Sequence, residues 1–141
     1  MTLPYSPASS SGTGPDDDPV RHPGEALLDA AALANLAQLD PTGANRLLPR
    51  VLTTFRTSMA RLLAQLALAR AQPDLATQRL VAHTLKSSAA SVGALWLSQL
   101  CGDAEKALRD GRLDDVPGLL DQLVAEAARV DVAVLHLLAD T

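Results

Sequence analysis

Among the three histidines of this chain, His83 is the one whose neighbours suggest chemistry. It sits in the run Leu80-Val81-Ala82-His83-Thr84-Leu85-Lys86-Ser87-Ser88. On a helix, Arg79 would lie one turn before it and Lys86 one turn after it, both within reach of a group held on the ring. An imidazole is a competent nucleophile, and flanking cations suit it to receive an anionic group. Ala76, Ser87 and Ala90 add small side chains around it, with Leu80 at their edge, leaving a low surface that a second protein can approach. The same residues also describe an ordinary solvated helix face, and spacing by itself leaves both readings standing.

No other constellation competes. His22 lies in a Pro-, Ser-, Gly- and Asp-rich stretch and reads as solvated, while His136 interrupts an apolar run near the end and reads as a helix-edge residue. The run Asp16-Asp17-Asp18 reads as part of a solvated tail rather than a cation site. Cys101 is the single cysteine, so no intrachain disulfide forms, and it falls on an apolar stripe as a packed thiol. No His, Cys and carboxylate spacing resembles a metal site. No phosphate-cradling glycine loop, dinucleotide fingerprint or G-x-S-x-G elbow occurs, so the expectation is no cofactor in this chain.

Composition narrows the partners. Sixteen acidic residues against twelve basic ones give a net charge of -4, which opposes nucleic acid binding, and 2% aromatic residues supply no stacking platform. Lone cysteine usage points to a reducing cytoplasm. Met1 to Pro7 lacks the basic and apolar regions of a signal peptide, and no apolar run reaches the length of a membrane span. Apolar residues make up 48% of the chain and are mostly Leu, Ala and Val, which favours an all-α fold.

Elements that would position His83 follow from the punctuation. Residues 1–24 read as a disordered tail, and 25–141 as one domain. A short helix over about 25–38 carries Leu27, Leu28, Ala31, Leu33 and Leu36, and Asp40-Pro41-Thr42-Gly43 breaks it. A second, over about 44–71, shows a sustained seam of Leu48, Leu52, Phe55, Met59, Leu62 and Leu66. Pro73 and Asp74 open a third, over about 74–92, which Gly93 ends as a C′ residue. The fourth, over about 94–110, stacks Leu97, Leu100, Cys101, Ala104 and Leu108 on one stripe, with Trp96 beside it, and Gly111 closes it. Asp114 reads as the N-cap of the last helix, with Pro117 in its first turn. Short connections make neighbours antiparallel, so the predicted fold is an up-down-up-down four-helix bundle with an additional short N-terminal helix as lid or end cap.

On the third helix, with Val81 at zero and about 100° per residue, Leu85 falls near 40°, Ser88 near -20° and Val92 near 20°. His83 falls near 200° on that wheel, almost opposite the stripe, so it should point out of the bundle. In the antiparallel hairpin, Glu105 should reach nearly the height of His83 and flank its own apolar stripe.

The string His83-Thr84-Leu85-Lys86-Ser87-Ser88, then Val92-Gly93-Ala94, Leu97, Leu100-Cys101, Glu105 and Gly111, resembles the signature of the histidine-containing phosphotransfer (HPt) domain family. The match runs in detail over 73–111 and, through helix number and length, over 25–139. The resemblance implies a four-helix bundle whose exposed histidine, here His83, is phosphorylated in two-component relays. It implies that Glu105 accepts a hydrogen bond from the imidazole Nδ1–H and leaves Nε2 as the nucleophile. Lys86 and Arg79 would offset phosphoryl charge. One position departs from the pattern: the family usually has Gly one turn after the histidine, and this chain has Ser87.

The expected function is therefore a phosphorelay intermediate, a carrier without kinase activity of its own. Its partners would be response-regulator receiver domains, which bring the Mg²⁺, and a hybrid sensor histidine kinase. A monomer in the cytoplasm, with no nucleic acid and no membrane, completes the expectation. Two other classes share the helices. A helical adaptor would bind receivers without transfer, and a kinase dimerisation hairpin would form a stable dimer.

Overall fold

The computed structural model describes residues 27–140. The segment read as a tail, with His22 and the aspartate run, lies outside the described residues. Among the described residues, all regular structure is helical: α1 (Ala30–Gln38), α2 (Leu47–Ala71), α3 (Leu75–Ser91), α4 (Leu95–Arg109) and α5 (Val116–Ala139).

Helices α2 to α5 form a closed ring of neighbours. Each packs on the next, and α5 returns to α2, which is the up-down-up-down bundle that short loops enforce. The predicted seam of α2 is buried at Leu52, Phe55, Met59, Leu62 and Leu66, with Leu48 only half-buried at the end of the bundle. On α4 the buried residues are Leu97, Leu100, Cys101, Ala104 and Ala107, so Leu108 gives way to Ala107 as the last core position. Val116, Leu120, Leu123, Ala127, Val130 and Val134 line the inner face of α5. Trp96 is half-buried and packs on the edge of this core.

The helix ends show local causes. Asp74 caps α3 by accepting Thr77 N–H at 3.0 Å and Thr77 Oγ1–H at 2.6 Å. These bonds hold the Asp74 carboxyl below its ordinary value. Gly93, at φ 81°, and Gly111, at φ 73°, take the left-handed conformation that ends α3 and α4. Three expected boundaries differ. Helix α1 starts at Ala30 rather than 25 because Asp29 caps it, accepting Ala32 N–H at 3.0 Å. Helix α2 starts at Leu47 because Arg46 is left-handed at φ 52°. The carboxylate of Asp40 reaches over the turn to accept Asn45 N–H and Leu47 N–H, at 3.2 Å and 3.1 Å. The N-cap of α5 is Asp115, not Asp114, and its carboxylate takes Arg112 at 2.9 Å instead of a helix N–H.

Helix α1 packs against α2, and its N-cap is tied to the α3–α4 turn: Asp29 N–H donates to the Gly93 carbonyl at 2.7 Å. It thus closes the end of the bundle at which α3 finishes. His83 lies ten residues before Gly93, about 15 Å along the helix, so this closure leaves the histidine clear.

Candidate functional site

Helix α3 sorts its side chains by angle. Gln78, Val81, Ala82, Leu85 and Ala89 are buried, and Arg79, Leu80, His83, Ser87 and Ala90 are exposed. Ser88, expected on the inner stripe, is half-buried and turns its hydroxyl to the Thr84 carbonyl at 3.2 Å. Ala82 and Ala89 fill the stripe instead, which moves its centre to about 50–60° on the same wheel. His83 remains on the outer side, with its side chain 61% exposed.

Glu105 on α4 rises beside it. Its Oε2 lies 2.8 Å from His83 Nδ1, and its Oε1 accepts the Lys86 ammonium at 2.7 Å. The carboxylate itself is only 12% exposed. The Lys86 bond, joined by the His83 bond, holds its carboxyl below the ordinary value against the opposing effect of burial. Glu105 is therefore ionised, and an ionised carboxylate only accepts. The proton of a neutral imidazole then belongs on Nδ1, which leaves the Nε2 lone pair free on the exposed side.

The model of the Hpt domain family matches residues 50–133, a span that includes His83, Lys86 and Glu105. The chain belongs to the Hpt domain family. Its role is that of a histidine phosphotransfer domain in a phosphorelay. Among solved structures it is similar to histidine-containing phosphotransfer protein B (HptB) from Pseudomonas aeruginosa PAO1. That likeness has 26% identity over 86% of this chain and 99% of the other, with a TM-score of 0.74. No curated protein matches the sequence.

The remaining sequence-derived residues of this HPt domain divide by position. Arg79 is exposed and makes no ion pair among the described residues, so its guanidinium is available to an incoming anion. Lys86 is half-buried and already engaged by Glu105. Ala76, Leu80, Ser87 and Ala90 are all exposed around the histidine, and Leu80 is the large apolar one, at 60%. Leu68 of α2 is also exposed, and with Leu80, Gln65, Gln72 and Thr77 it lines a shallow groove between α2 and α3. His136 is exposed near the end of α5, apart from the α3–α4 hairpin. Cys101 is fully buried, and desolvation pushes its thiol up to about 12, so it is not a nucleophile. No helix among the described residues is long and apolar enough to cross a membrane, and no described group of His, Cys and carboxylates could hold a metal.

Two residues escaped the sequence reading. Ser98 Oγ donates to the Lys86 carbonyl at 2.9 Å, and Gly102 lies beneath the Lys86 stem. Their shared spacing with Glu105, at i, i+4 and i+7, was the signal available.

Proposed function

We propose that His83 is the residue that carries the phosphoryl group. The observation that supports this most directly is the 2.8 Å bond from its Nδ1 to Glu105, made by a ring otherwise open to solvent. The Nε2 lone pair attacks the phosphorus of an aspartyl phosphate on a receiver domain, in line with the leaving oxygen. An N–P bond forms as the P–O bond breaks, and the aspartate carboxylate departs with the electron pair. No proton need move. The ring gains positive charge, which faces the Glu105 carboxylate through Nδ1–H. Reversal of the same step passes the group to the next receiver.

Arg79 offsets charge on the phosphoryl oxygens from one side, and Lys86, one turn past His83, adds positive charge from the other while its ammonium holds Glu105. Ala76, Leu80, Ser87 and Ala90 form the face on which a receiver domain docks, and their low profile suits a partner that must bring phosphorus to Nε2. The metal and acidic residues of the reaction belong to the receiver, so the carrier needs no cofactor. A chain without a nucleotide-binding element depends on a hybrid sensor kinase upstream. We place it in the cytoplasm as a monomer, without nucleic acid or membrane partners.

The test is incubation with a phosphorylated receiver domain. Label should appear on the chain, be acid-labile and base-stable, and vanish in His83→Gln. Receiver binding without any label would instead identify a helical adaptor.

A further inference from the structure

Lys86 meets helix α4 at three points in a line. Its backbone carbonyl accepts Ser98 Oγ–H at 2.9 Å. Its stem crosses Gly102, where an added Cβ would stand 3.5 Å from Cδ. Its ammonium ends on Glu105 Oε1 at 2.7 Å. Ser98, Gly102 and Glu105 share one face of α4 by their spacing of four and three. The lysine is therefore laid along α4 rather than extended into water. The far end of that line is the carboxylate whose second oxygen meets His83 Nδ1.

A glutamate side chain on a helix surface has several rotamers, and an imidazole alone fixes only one of its oxygens. With the ammonium on the other oxygen, the plane of the carboxylate is determined. The ammonium is in turn held by where the stem can lie. Ser98 sets the register of α3 against α4 at Lys86, and Gly102 leaves the channel through which the stem passes. A Cβ at residue 102 would be in ordinary contact with Cδ, whereas a longer side chain would occupy the path itself.

We propose that Ser98 and Gly102 are positioning residues that seat Lys86, and through it Glu105, so that His83 keeps its proton on Nδ1. This rests on the reading of His83 as the phosphoryl acceptor. The two residues touch neither the phosphoryl group nor the ring, and their effect travels through the lysine and the carboxylate.

Nitrogen-15 spectroscopy of the imidazole in the full chain reads the tautomer directly. Ser98→Ala and Gly102→Leu should each move the ring toward the form protonated on Nε2. Each should slow phosphorylation by phosphoramidate, a small donor that releases ammonia as the N–P bond forms. The expected loss is about fivefold, the equivalent of about 1 kcal/mol. Ser98→Thr, which keeps the hydroxyl, should restore both readings. An unchanged tautomer and rate in Ser98→Ala and Gly102→Leu, with helicity retained, overturn the proposal. Failure of the parent reading looks different: the unaltered chain would take no label on His83 although its tautomer still responds to Ser98.

Discussion

Glu105 stands between His83 and Lys86, one carboxylate oxygen 2.8 Å from the imidazole Nδ1 and the other 2.7 Å from the ammonium. Replacing it by Ala removes the acceptor that faces Nδ1 and, on the proposed role of His83, the anion that would face the charged product ring. Charge-assisted hydrogen bonds of this kind contribute about 1.5–3 kcal/mol, so phosphoryl uptake by Glu105→Ala should fall by roughly 10- to 100-fold. Rapid-quench measurement of labelling from a phosphorylated receiver checks this.

The same carboxylate gives a pH dependence. Its folded-state pKa lies below the ordinary carboxyl value of 4.5, first because Lys86 and then because His83 hydrogen-bonds to it. The unfolded chain therefore binds the proton more readily. The stabilisation is present above that ordinary value and is lost as pH falls through the lower, folded one. Urea melts should show wild type more stable than Glu105→Ala near pH 6, with the gap closing as pH falls below the ordinary carboxyl value of 4.5.

His83→Gln should melt within about 1 kcal/mol of the unaltered protein, because the side chain is 61% exposed and the glutamine amide can still donate to Glu105. Its label should disappear entirely. Circular dichroism and a labelling gel separate the two effects.

Leu85 and Leu80 test the two sides of α3. Leu85 is fully buried, and Leu80 is 60% exposed. Leu85→Ala should cost about 2–5 kcal/mol in a urea melt, the usual range for a core leucine. Leu80→Ala should cost less than about 0.5 kcal/mol and instead weaken receiver binding by calorimetry. Equal losses of stability would contradict the assignment of faces.

Gly93→Ala combines a left-handed backbone with a steric conflict. At φ 81° a side chain is strained by about 1–2 kcal/mol, and the added Cβ would stand 2.9 Å from Asp29 N. The bond from Asp29 N–H to the Gly93 carbonyl must lengthen as a result. Amide exchange at Asp29 should accelerate well beyond that at Leu85, while labelling of His83 persists.

Much of this arrangement was legible in the sequence because it depends on period. The outward angle of His83 and the buried seam from Leu52 to Leu66 are statements about helical repeat, and they survive an error of two residues at either end. The height of Glu105 opposite His83 follows from counting rises on both sides of the Gly93 turn. What escaped depends on single hydrogen bonds across the chain. The carboxylate of Asp40 caps α2 from seven residues away, at Leu47, where no local cap residue announces it. Asp115 rather than Asp114 begins α5 because the last turn before it is set by Arg112. Gln78 occupies an inner position of α3, where the apolar pattern predicts a hydrocarbon. Its amide nitrogen donates to the Ala69 carbonyl at 3.1 Å, a bond that no periodicity encodes.

The division of labour on α3 also bears on how such a protein can change. Ala76, Arg79, Leu80, Ser87 and Ala90 surround the histidine yet lie outside the packed interior. Substitutions there carry little thermodynamic penalty, so, on the proposed reading of this strip as the docking face, the choice of receiver could be rewritten one residue at a time while the scaffold keeps folding. On that reading, a lineage of relay pathways would diverge along a single strip of surface, insulated from the leucines that hold the helices together.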